Sequence, residues 1–212
     1  MDDIEKLIKG KRIIRASFIK SKRTLYSYVL MYDSSEHFLQ LAKQNQEGRF
    51  YNCMASMIFC AFCLEAYFNH LGKLNLKHWK SIEQGLGPEK KFDLFDDIFN
   101  ISIDRGARPF QSMPEIFNFR NLIVHAKTQE VINEPKEKLT DGEIPKFLKT
   151  EWENKTNIEI AERFVTDTRE MIIQLHKIIT GTDTDPFSTH SKGELVTASI
   201  DLQDILLRHD RK

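Results

Sequence analysis

Glycine and proline are scarce in this chain, nine and six among 212 residues. An all-β fold needs frequent turns, and turns draw on those two residue types, so the shortage argues against one. Cysteine is scarcer still: Cys53, Cys60 and Cys63 all fall in one apolar stretch. An odd count, with no signal peptide read at the N-terminus, fits buried thiols in a reducing cytosol. Cys60-x-x-Cys63 has the spacing of a redox or zinc pair, but no second ligand pair lies nearby, which favours packing. Long apolar runs are also missing. The longest, Met54 to Phe68, contains Ser56 and Glu65 and is too short to cross a bilayer. No membrane partner is therefore expected, and the expected location is cytoplasmic.

Acidic residues are missing from one segment. Between Lys6 and Arg23 there are eight Lys or Arg and no acid, leaving 23 basic residues against 31 acids elsewhere. The whole chain is neutral, so bulk charge does not draw it to nucleic acid. A basic arm on an acidic body is either a local phosphate contact or a solvated helix face or frayed terminus.

What is abundant is phenylalanine, 15 residues, and apolar spacing of helical period. The spacing predicts helices over 24–46, 49–72, 89–101, 112–127 and 157–180. The second is apolar nearly all round and should be central, with Gly72 as its stop. Ser112-Met113-Pro114-Glu115 reads as a capped helix start, and Asn157 and Gly181 bracket the last long helix. Gly85, Gly87 and Pro88 interrupt the chain before the third. Residues 128–156 are polar, hold Pro135, Gly142 and Pro145, and are too long for a bundle loop. They read as an excursion with a short strand or helix near Lys146–Trp152. The expected fold is an all-α, up-and-down bundle of four to five helices with this excursion before the last long helix. The expected organisation is a basic arm over 1–23, a bundle over 24–181, and a linker plus C-terminal amphipathic element over 182–212.

The helix over 112–127 carries Arg120-Asn121-Leu122-Ile123-Val124-His125. At roughly 100° per residue, Ile116, Phe119, Ile123 and Ala126 form a core face. Asn118, Asn121 and His125 cluster opposite, and Arg120 lies about 140° from His125. Phe117 and Val124 fill the wedge between Arg120 and the Asn/His cluster. One copy therefore presents half of a polar site. A second copy covering Phe117 and Val124 as a dimer seam would place two Arg and two His about a two-fold axis.

Arg, a polar residue, three more residues and then His, on the penultimate long helix, resembles the R-x4-H motif of HEPN domains. Ala61-Phe-Cys-Leu-Glu-Ala-Tyr-Phe-Asn69 is similar to the Leu-Glu-Ala helix of many HEPN-like proteins. The resemblance spans about residues 24–180; the 128–156 excursion and the tail depart from a minimal bundle of that family. It implies a homodimeric endoribonuclease that needs no metal and no cofactor and leaves 2′,3′-cyclic ends. RNA is the implied substrate, and phage defence or a toxin role, with an antitoxin or regulatory protein as partner, is the implied setting. His125 would act as general base or acid, as suits a side chain that ordinarily titrates near neutrality. Arg120 would hold the phosphate and the added transition-state charge, and Asn121 would orient the histidine or bind a phosphate oxygen. Lys127 is a further candidate phosphate contact, or simply a helix-end cation. Without catalysis the same residues fit a helical dimerisation module, or a sensor that reads a phosphate or nucleotide.

Glu65 is the one acid in the apolar helix, and a buried carboxylate needs a partner. The expectation is that it faces the Arg120 helix and supports Arg120 by a charge-assisted hydrogen bond. Asn69 and His70 read as capping residues near that helix's end. No metal pair is visible among the scattered histidines.

Overall fold

The computed structural model describes residues 15–132 and 148–201. Residues 1–14 of the expected arm over 1–23, residues 133–147 of the excursion and residues 202–212 of the tail lie outside them. The chain divides into two units, one of Tyr26–His190 and the other holding the two strands that precede and follow it in the sequence.

The first unit is a helix bundle. Its four long helices are α1 (Ser27–Gln44), α2 (Arg49–Asn75), α5 (Ser112–Val124) and α7 (Ile158–Thr180). Shorter α3 (Trp79–Ile82), α4 (Pro88–Phe99) and α6 (Glu151–Lys155) fill the connections. Pro88 opens α4 instead of breaking the chain, because an N–H missing from the first turn had no intrahelical partner anyway. Gly48, at φ 73°, makes the tight turn between α1 and α2. Arg49 then donates from Nε to the carbonyl of Ala42 at 3.0 Å, satisfying an acceptor at the end of α1.

Helix α2 is the centre, as its composition predicts. Eleven of its residues are buried, against α1, α5 and α7 among others. At 27 residues it outruns the apolar stretch that defines it, and by length and composition it could cross a membrane. Much of that apolarity meets neighbouring helices here. Small residues let α1 and α2 approach closely: Ser56 donates to the Ser35 carbonyl at 2.8 Å and the Cys63 thiol to the Tyr28 carbonyl at 3.2 Å. All three cysteines are free and buried. Burial pushes the Cys60 thiol up to about 12 and the Cys63 thiol up as well, so neither is a ready thiolate.

Helix α7 starts at Asn157, whose side chain accepts from the Ile160 N–H at 2.9 Å, and ends at Gly181 with φ 68°. Helix α6 starts with a reciprocal capping box between Thr150 and Glu153. The bundle unit continues past residue 181, because the segment after α7 is tied down. The Tyr28 hydroxyl donates to the Pro186 carbonyl at 2.9 Å, Arg169 pairs with Asp185 at 2.7 Å, and Phe187 packs on Tyr28 and Tyr32.

The second unit gives strands where the sequence suggested a helix face or frayed terminus for the basic segment and left the C-terminal amphipathic element undefined. The described parts of the basic segment and of the C-terminal element lie in strands, β1 (Arg15–Leu25) and β2 (Ser191–Asp201), paired antiparallel from Arg15↔Asp201 to Leu25↔Ser191. In β2 the apolar Val196, Ala198 and Ile200 alternate with the polar Thr197, Ser199 and Asp201, the period of a strand.

Candidate functional site

Helix α5 is pinned at its start. Ser112 does not cap it: the residue is fully buried, and its hydroxyl donates to the Asp167 carboxylate on α7. Arg108 donates to the same carboxylate through Nε, 3.1 Å from both oxygens. Asp167 is wholly buried, and these donors are what make a carboxylate tolerable there. Neither Asp167 nor Arg108 stood out in the sequence, since Asp167 sits inside the apolar stripe of α7 and Arg108 in a loop.

Along α5, Ile116, Phe117 and Phe119 are buried. The core face is thus wider than the expected one and takes in Phe117, which is 3% exposed and faces Phe68. Phe117 is therefore part of the chain's own core and not a dimer seam. Val124 points the same way two turns later, but there the core has ended, and it is 56% exposed. The helix stops at Val124, three residues short of Lys127, and His125 is its C-terminal cap. The His125 N–H returns to the Asn121 carbonyl at 3.0 Å and the Ala126 N–H to that of Ile123 at 3.2 Å. Asn118, Asn121, His125, Ala126 and Lys127 are all exposed; Ala126, assigned to the core face, lies past the point where the helix ends.

Arg120 lies on the core side of the wheel, between the directions of Ile116 and Phe117, with its side chain only 19% exposed. A guanidinium there needs an acceptor. Glu65 supplies it: Arg120 donates from Nη2 to Glu65 Oε2 at 2.9 Å. The expected pairing is thus present. The sequence did not reveal the other half of the cluster. Lys91 of α4, 3% exposed, donates from Nζ to Asn69 Oδ1 at 2.8 Å and lies 3.5 Å from Glu65 Oε1. Its Nζ also stands 5.9 Å from the centroid of the Trp79 ring. Asn69 is inside α2 and caps nothing; it serves as the lysine's acceptor. The signal was available, since Glu65 and Asn69 are four apart and share a helix face, and polar groups facing inward require donors. His70 is also internal to α2, with its ring against Tyr26, Tyr28 and Tyr67.

The predicted residues thus fall into two groups. Glu65 and Arg120 join Lys91 and Asn69 in a half-buried charged cluster. Asn121, His125 and Lys127 stand exposed at the end of α5. Among the described residues, no side-chain hydrogen bond joins His125 to Arg120 or Asn121. Beside the exposed stripe, a cleft of about 290 Å³ is lined by Glu115, Asn118, Arg163 and Lys155 over Met57 and Phe119. Its charges are paired: Arg163 with Glu115 and Lys155 with Glu151, each at 2.6 Å. No family model, curated protein or solved structure matches the chain.

Proposed function

We propose that the chain is a metal-independent endoribonuclease of the HEPN type, working in the cytoplasm as a homodimer. The observation that carries this reading is the contrast along one helix. Arg120 is held in place by Glu65 with its side chain 19% exposed, while His125 stands exposed five residues on beside an uncovered Val124. A half-site of this kind gains its second histidine and arginine from another copy packed over Val124.

In the reaction, an imidazole takes the proton of an RNA 2′-hydroxyl. The freed oxygen attacks the adjacent phosphorus as the P–O5′ bond breaks. A protonated imidazole supplies the proton that the departing 5′-oxygen needs, and the products are a 2′,3′-cyclic phosphate and a 5′-hydroxyl. Arg120 offers donors to the non-bridging oxygens as they gain charge, and Asn121, one turn before the histidine, and Lys127, two residues after it, are the groups that would hold the phosphate. A toxin or phage-defence setting, with a regulatory protein as partner, belongs to the same proposal.

The Arg120–Glu65 pair also favours a second reading, in which Arg120 is a structural ion pair and the exposed end of α5 is only a dimerisation surface. Incubating the purified protein with RNA in the presence of a chelator separates the two. Cyclic-phosphate ends that disappear in His125→Ala, with folding intact, support the nuclease. Intact RNA with an undisturbed dimer supports the interaction module. Tight nucleotide binding without turnover would point to a sensor.

A further inference from the structure

Arginine and a carboxylate prefer to meet through two parallel hydrogen bonds. Glu65 and Arg120 do not. Only Nη2 reaches Oε2, at 2.9 Å, and Arg120 Nε is buried with no partner. The other oxygen, Oε1, is directed to Lys91 instead, at 3.5 Å. Lys91 is fixed from behind by Asn69 at 2.8 Å and is almost wholly buried. Two formal cations therefore share one carboxylate, and the cluster keeps one net positive charge. Its solvent-facing members are Glu65, 32% exposed, and Arg120, 19% exposed.

We propose that Lys91 is a positioning residue that holds one oxygen of Glu65 away from Arg120, so that the Glu65–Arg120–Lys91 cluster stays cationic and Arg120 can take a phosphodiester oxygen. This rests on the reading of Arg120 as the phosphate-holding group. Lys91 touches no substrate. Its work is to divide the carboxylate. Without the ammonium, Oε1 has no cation on its side, and Glu65 turns to fork both oxygens onto the guanidinium. That would satisfy Nε, bring the cluster to zero net charge and remove its attraction for an anion.

The test uses the full chain and inorganic phosphate, followed by the Nε–Hε resonance of Arg120, alongside the KM and kcat of RNA cleavage. Lys91→Met should weaken phosphate binding and raise KM about tenfold, the scale of one charge-assisted hydrogen bond, without moving the pH profile of kcat. Adding Glu65→Gln to Lys91→Met restores the net positive charge with an amide that competes poorly for Arg120. It should return phosphate affinity to within a few-fold of wild type. A merely structural lysine would give no such rescue. Lys91→Gln, which keeps the bond to Asn69, is the second variant if Lys91→Met does not fold, and the same weakening is expected. The proposal is overturned if the wild-type Arg120 resonance ignores phosphate, if the folded single variants bind it normally, or if the double variant is no better than the single. Phosphate binding that depends on Lys91 with no RNA cleavage would remove the nuclease reading and leave this inference standing. RNA cleavage indifferent to Lys91 would do the reverse.

Discussion

The indole of Trp79 lies flat against the backbone of Gly72, so close that a Cβ at position 72 would stand 2.2 Å from Trp79 Cδ2 and Cε2. Trp79 is 3% exposed and packs in turn on Phe95. Neither ring has room to retreat in a close-packed interior. Gly72→Ala should therefore destabilise the protein by roughly 1–3 kcal/mol, the usual cost of overpacking, despite alanine's better helix propensity. Equilibrium denaturation measures this. A stabilised Gly72→Ala would mean that Trp79 is not seated there.

Gly72 also shows where sequence reasoning reaches its limit. Glycine near the end of an apolar run reads as a helix stop, yet α2 continues to Asn75, and the glycine answers to a tryptophan seven residues on. Periodicity located α1, α2, α4, α5 and α7 because each buries one face, and burial writes its period into the sequence. It could not show that residues 15–25 and 191–201 pair as β1 and β2, since that pairing joins segments far apart in sequence. At the site, Glu65 was legible as a lone acid in an apolar helix that needs a partner. Lys91 was not, because a lysine on a short amphipathic helix is ordinarily solvated and only tertiary packing buries this one.

The anchor beneath α5 is asymmetric, and so are its expected mutants. Asp167 is fully buried, while the Arg108 side chain is 53% exposed. Removing the arginine leaves a carboxylate inside the protein with Ser112 as its remaining close donor. Removing the carboxylate's charge leaves an arginine that water can solvate. Arg108→Ala should therefore lower the thermal midpoint more than Asp167→Asn, whose side-chain oxygen can still accept from Ser112. The opposite order would mean that Ser112 alone satisfies the carboxylate and that Arg108 does not anchor it.

His70 makes stability depend on pH. Burial pushes its imidazole below the usual range, and His176 and Lys73 push the same way. The folded protein thus favours neutral His70, and as pH falls the unfolded chain takes up the proton first. The stability from this group is complete above the unfolded value of about 6.5 and is lost as pH falls through the lower folded value. His176, also lowered by burial, although Asp185 opposes the shift, adds to the trend. Thermal midpoints measured from about pH 8 down to about pH 5 should decline, and His70→Phe should decline less. Parallel curves for the two proteins would assign the slope to other groups.

Phe117 and Val124 point in one direction from α5 but have opposite surroundings, so one pair of variants separates folding from association. Phe117 is buried against Phe68, and Phe117→Ala should cost about 3–5 kcal/mol of stability. Val124 is exposed at 56%, and Val124→Asp should change stability by no more than about 0.5 kcal/mol. In the proposed dimer, however, that aspartate would meet its own symmetry mate across the two-fold axis. It would put two like charges in a desolvated seam beside His125. Sedimentation should then show Val124→Asp shifted to monomer at concentrations where the wild type is dimeric, with RNA cleavage lost in parallel. If Val124→Asp remains dimeric and cleaves RNA, the two copies meet elsewhere. If it is monomeric and cleaves RNA at full rate, one chain holds a complete site.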